Sequence, residues 1–149
     1  MKFIDSFYFK NKEGITVSKV LVKHKGKLFN GMAFLHPNDE AAGVGSELTG
    51  CRYAETRARI KALKYELKVE RKACEDIRKF VRAIEGYKDF DKDSPTAKVM
   101  YRQLNQRIKK VNKLIDEINA MYLGLRIAFR KQNRLNHKIN LLSENNIEE

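Results

Sequence analysis

Hydrophobic positions in this chain follow a two-residue rhythm at first and a three-and-four rhythm later, and the change falls near Pro37. FIDSFYF, Phe3 to Phe9, places apolar residues at 3, 7 and 9. ITVSKVLVK, Ile15 to Lys23, is β-branched and includes Val17, Val20 and Val22. KLFNGMAFL, Lys27 to Leu35, follows. Alternation over such short runs, bounded by Asn11, Gly14 and Lys25-Gly26, predicts strands and turns. His24 to Lys27 is short enough for a tight hairpin. Residues 1–36 are therefore expected to form a three-stranded antiparallel sheet, the minimum that holds one apolar face. The rest of the chain is the expected cover for that face.

Pro37 stops the strand pattern, and residues 37–47, with Asn38, Gly43, Gly45 and Ser46, read as a loop. Ser46 or Thr49 is the candidate cap of a first long helix over 48–85, and Gly86 stands where a helix C-terminus belongs. That helix should bury Ile60, Leu63, Leu67, Cys74, Ile77, Val81 and Ile84, with Glu70 as a gap in the stripe. Val69, Ala73 and Phe80 broaden it, which suggests more than one neighbour. A turn over 86–94 leads to Asp93 or Ser94 as cap and to Pro95 in the first turn of a second helix, 95–142. Its apolar positions are Tyr101, Leu104, Ile108, Val111, Ile115, Ile118, Tyr122, Leu125 and Phe129. Steps of three and four without a miss make a coiled-coil-like seam. The short link folds the helices into an antiparallel hairpin. The seam is expected to pack as core, and a homodimer through the long helices is an open alternative. Residues 143–149 read as a frayed acidic tail.

The fold expected is thus α+β: a small three-stranded antiparallel sheet followed by a long antiparallel helical hairpin. At 149 residues it is expected to be a single domain. No apolar run is long enough to span a membrane. MKFIDSFYF makes a poor signal peptide and a good first strand, so the expected compartment is the cytoplasm. Cys51 and Cys74 lie 23 residues apart on one helix, about 35 Å at ~1.5 Å of rise per residue, and are expected to be free thiols.

Charge changes the picture more than composition does. The net charge is +12, which favours an acidic partner such as nucleic acid. In the first helix, bases and acids interleave. Between Thr96 and Leu142 there are eleven basic residues against two acids, Asp116 and Glu117. Arg126, Arg130, Arg134 and Lys138 follow one another at four-residue steps, a like-charge spacing that costs roughly a few tenths of a kcal/mol per pair. Gln132, Asn133 and Asn136 lie among them. Arginine with amide side chains on a helix is the set that grips phosphates and reads base edges. Lys109, Lys110 and Lys113 form a second basic patch. The plain alternative is a solvated basic face.

Reactive chemistry is poorly represented. His36, Asp39 and Glu40 are metal-ligand types, yet they are neighbours on one loop, whereas a nuclease site draws its acids from separate elements. The simpler assignment is a joint: Pro37 ends the strand, and Asn38 and Asp39 turn the chain. Gly43-Val44-Gly45-Ser46 ahead of a helix is a weak anion-binding signal. His24 falls in a turn and His137 on a polar helix end. No catalytic residue, metal site or cofactor is expected.

The run FNGMAFLHPNDEAAGVGSELTGCRYAETRARIKALK resembles a loose set of small phage and prophage proteins. The matching residues are Gly31, Ala33, His36, Pro37, Asp39, Gly50, Ala54, Arg57 and Ala58. They cover roughly a quarter of the chain and exclude the second helix. The resemblance carries no catalytic residue. It implies a phage-encoded accessory protein in the host cytoplasm that binds host machinery, such as restriction or CRISPR nucleases. The leading expectation is therefore a non-catalytic inhibitor of a host nucleic-acid-processing or defence assembly, of anti-CRISPR or anti-restriction type. The alternatives are a direct DNA- or RNA-binding regulatory or architectural protein and, third, a metal-dependent nuclease using His36, Asp39 and Glu40.

Overall fold

The computed structural model describes residues 1–35 and 47–145. It has the α+β architecture expected: a three-stranded antiparallel sheet followed by two helices packed as a hairpin. The elements are β1 (Lys2–Lys10), β2 (Thr16–His24), β3 (Lys27–Leu35), α1 (Glu47–Glu85) and α2 (Pro95–Asn145). Two compact units divide the chain. One comprises Met1–Ala62 with Ala120–Glu149, the other Leu63–Asn119.

In the first unit the strands lie in the order β1-β2-β3. The β1–β2 connection is held by Asn11, whose Oδ1 accepts from Glu13 N and Ile15 N at 2.9 and 3.0 Å. His24 and Lys27 pair across a two-residue turn in which Lys25 and Gly26 both have positive φ, 48° and 79°. Positive φ at both central positions matches the right-handed twist of the strands it joins. A bulge at Ile4 shifts the register between Phe3 and Asp5.

Thr16, Ser18, Val20 and Val22 share a sheet face with Ala33, Gly31 and Phe29, because directly opposed residues point the same way. Val20, Val22 and Ala33 are buried with Ala54 and Ala58 of α1, flanked by Phe29, Cys51 and Tyr53. The approach is closer than ordinary side chains permit. A Cβ on Gly31 would overlap the Ala54 carbonyl oxygen and come within 2.5 Å of Ala58 N, and one on Gly50 would overlap Ser18 Oγ. Arg57, next to Ala58 and one turn after Ala54, donates from Nη1 to the Met32 carbonyl at 2.6 Å and lies 5.6 Å from the Phe129 ring centroid. Phe129 also stacks on Tyr53, with centroids 4.8 Å apart. A cation over a ring face adds to the stacking. Arg57 thereby joins β3, α1 and α2 in this unit.

The cover of the sheet differs from expectation. The helix covers the face that holds Val20 and Val22. Phe7 and Phe9 pair with Lys19 and Val17 and so lie on the opposite face, where both are exposed.

The second unit is the linked end of the hairpin. Ser94 caps α2, its Oγ accepting from Ala97 N at 3.2 Å, with Pro95 next in the first turn. Gly86 follows the last residue of α1, but its N–H still bonds the Arg82 carbonyl at 3.2 Å and its φ is not positive, so no left-handed cap is made. Leu63, Cys74 and Val81 of α1 are buried, as are Ala97, Leu114 and Ile118 of α2. Val69 and Phe80, expected to widen the stripe, are instead exposed at 48% and 60%. The other seam positions of α2, from Tyr101 to Ile115, are half-buried. Cys51 and Cys74 are free. Thr49 lies inside α1 and does not cap it, while Ser46 lies outside the described residues.

Candidate nucleic-acid interface

The basic face of α2 is built by the helix itself. α2 runs unbroken from Pro95 to Asn145, so Arg126, Arg130, Arg134 and Lys138 fall at i, i+4 steps of about 6 Å along the axis. A four-residue step against a 3.6-residue turn makes this a gently winding row about 18 Å long. All four side chains are exposed, as are Lys131 and Asn133. Among the described residues none of these cations has an acidic partner.

Packing explains where the row begins. Leu125 is buried, and Phe129 is held by Tyr53 and Arg57. From Arg130 to Lys138 every side chain whose exposure is described is open to solvent. Gln132 and Asn136 are on the helix, but their side chains lie outside the described residues. The helix is thus anchored at one end of the row and solvated along the rest.

The second patch divides. Lys109 and Lys113 are exposed. Lys110, exposed as well, reaches across to α1 and donates from Nζ to Glu70 Oε1 at 2.8 Å, and Arg107 Nη1 donates to Glu70 Oε2 at 2.9 Å. Lys110 also lies 4.0 Å from Glu66. The hydrogen bond from Lys110 is the largest influence on Glu70. It outweighs the opposing effect of burial and, with Arg107, holds the carboxyl below its ordinary value. Lys110 and Arg107 are thus largely occupied within the chain. Glu70 itself is the gap in the α1 stripe, a signal in the sequence that an acid there meets bases opposite.

His36, Asp39 and Glu40 lie outside the described residues, as does Gly43-Val44-Gly45-Ser46. Among the described residues no group of three or more His, Cys, Asp or Glu side chains could hold a metal ion. No helix among them is long and apolar enough to cross a membrane. Of the residues that carry the phage-protein resemblance, Gly31, Ala33, Ala54 and Ala58 form the seam between β3 and α1. Gly50 packs on Ser18, and Arg57 ties that seam to Phe129.

No protein-family model matches this chain, and no curated protein or solved structure matches it significantly.

Proposed function

We propose that this chain is a non-catalytic binding protein that contacts nucleic acid directly through the basic face of α2. The observation that carries this reading is the row Arg126, Arg130, Arg134 and Lys138: exposed, without acidic partners among the described residues, on a helix whose described side chains from Arg130 to Lys138 are all open to solvent. A stretch of like charge is tolerated where a polyanion neutralises it. The major groove of B-DNA, about 12 Å wide, admits one α-helix, and a row of cations along that helix meets phosphates on the groove walls. Asn133 supplies an amide for base edges, and Gln132 and Asn136 occupy the same turns of the helix. Lys109 and Lys113 add charge; Lys110 contributes less because Glu70 holds it.

A phage-type inhibitor of a host defence or nucleic-acid-processing assembly would use the same row against an acidic protein groove or a nucleoprotein. The motif that suggests it is accounted for, in its described part, by sheet–helix packing, so the direct contact is the better supported of the two. A nucleic-acid binder takes up free duplex, with affinity falling steeply in salt. An inhibitor of a protein groove ignores free nucleic acid and co-purifies with a host enzyme. Binding of a labelled duplex, lost when Arg126, Arg130, Arg134 and Lys138 are all changed to Ala, is the deciding experiment.

A further inference from the structure

The sheet face opposite α1 has a definite composition. By register, four rows of opposed residues lie on it: Phe9–Val17–Phe34, Phe7–Lys19–Met32, Asp5–Leu21–Asn30 and Lys2–Lys23–Leu28. Phe7 and Phe9 are each 45% exposed and Phe34 60%, while Val17 between the last two is buried. Phe7 and Phe9 are about 7 Å apart along β1, and Phe9 and Phe34 about 10 Å apart across two strand spacings. Lys2 and Lys23 are exposed and Lys19 half-exposed, and none of the three has an ion pair among the described residues. The single acid, Asp5, accepts from Ser6 N at 2.8 Å.

We propose that this face is a stacking platform for the unpaired bases of single-stranded nucleic acid. Phe7, Phe9 and Phe34 offer three rings to base faces, and Lys2, Lys19 and Lys23 meet the phosphates between them. The inference extends the reading of the chain as a nucleic-acid binder, but rests on a different surface. Aromatic rings on an open sheet accept any base, because every base has a π-face, and a basic groove tracks the backbone. Duplex DNA cannot use such a platform, since its base faces are already stacked on each other. The charges decide against the other occupant of an apolar sheet face, a second copy of this chain. Face-to-face pairing would bring three lysines and a single carboxylate from each copy into one interface, and a buried charge without a partner is strongly unfavourable. A polyanion supplies the partner.

The test uses the full chain and three labelled probes of equal length: oligo-dT, oligo-rU and a blunt duplex, read by fluorescence anisotropy. The variant Phe7→Leu/Phe9→Leu/Phe34→Leu keeps apolar bulk and removes the rings. Thermal melts confirm that it folds, and single Phe→Leu variants substitute if it does not. The expected result is a loss of single-strand affinity of about tenfold or more, with duplex affinity unchanged. Lys19→Gln should lower the salt slope for single strands by about 0.7. Single-strand affinity unchanged by loss of the rings would overturn the assignment, even if the α2 row still proved to bind duplex. A dimer in sedimentation that the Leu variant abolishes would also overturn it, in favour of self-association.

Discussion

Gly31 and Gly124 show how differently one residue type can be held. At Gly31 an added methyl meets backbone atoms of Ala54 and Ala58, which cannot rotate away. Gly31→Ala must therefore push β3 off α1, and should cost about 1–3 kcal/mol, as overpacking of a tight interior does. Gly124 sits within α2, and a Cβ there meets nothing within 4 Å. Gly124→Ala should stabilise the protein by about 0.5–1 kcal/mol through helix propensity. Denaturant unfolding of the two variants checks both signs at once. The sequence motif pointed to Gly31, Ala54, Arg57 and Ala58 without saying what they do. Their role follows only from which strand faces which helix, and a period cannot show that.

Among the elements, strands, turns and helices were legible because their periods are strong and their punctuation is clear. The sequence expectation for β3, 27–35, matches the strand, and Ser94 with Pro95 starts α2 as capping chemistry requires. The choice of covered face was not legible. β1 and β3 carry apolar residues on both parities, so alternation cannot pick the buried side. Val69 and Phe80 also fit a helical stripe but remain exposed. Glu70 shows the converse, an acid inside a stripe that the opposite helix satisfies with Lys110 and Arg107. Its folded carboxyl titrates below the ordinary value of 4.5. The stabilisation is therefore full above about pH 5 and is lost as pH falls through the depressed folded value. Glu70→Gln should cost about 1–3 kcal/mol at neutral pH. The gap in melting temperature between wild type and variant should close as the solution is acidified below the carboxylate range. A gap constant down to pH 3 would mean that the charge of Glu70 contributes nothing.

For the whole molecule, an excess of positive charge opposes compactness and asks for a counter-ion. The net charge of +12 favours an acidic partner, and the spacing of Arg126, Arg130, Arg134 and Lys138 marks the densest row in the sequence. Neither could show that the row lies on a solvated stretch of helix, or that Lys110 is already taken. The outer sheet face is not legible in the sequence, because its three rings come from β1 and β3, distant in sequence and brought together only by register. Replacing the four cations with Ala removes three like-charge pairs, so stability should stay the same or rise by a few tenths, roughly, of a kcal/mol per pair. That leaves binding as the readout. Anisotropy titrations of a labelled duplex across a salt series, on wild type and the Arg126→Ala/Arg130→Ala/Arg134→Ala/Lys138→Ala variant, test the account most directly. Wild type should bind with an affinity that falls steeply in salt, and the variant should bind at least about tenfold more weakly, with a salt slope smaller by about 3 to 4. Equal affinities and equal slopes for the two proteins, or no duplex binding by wild type at low salt, would contradict the assignment of α2 as a nucleic-acid interface.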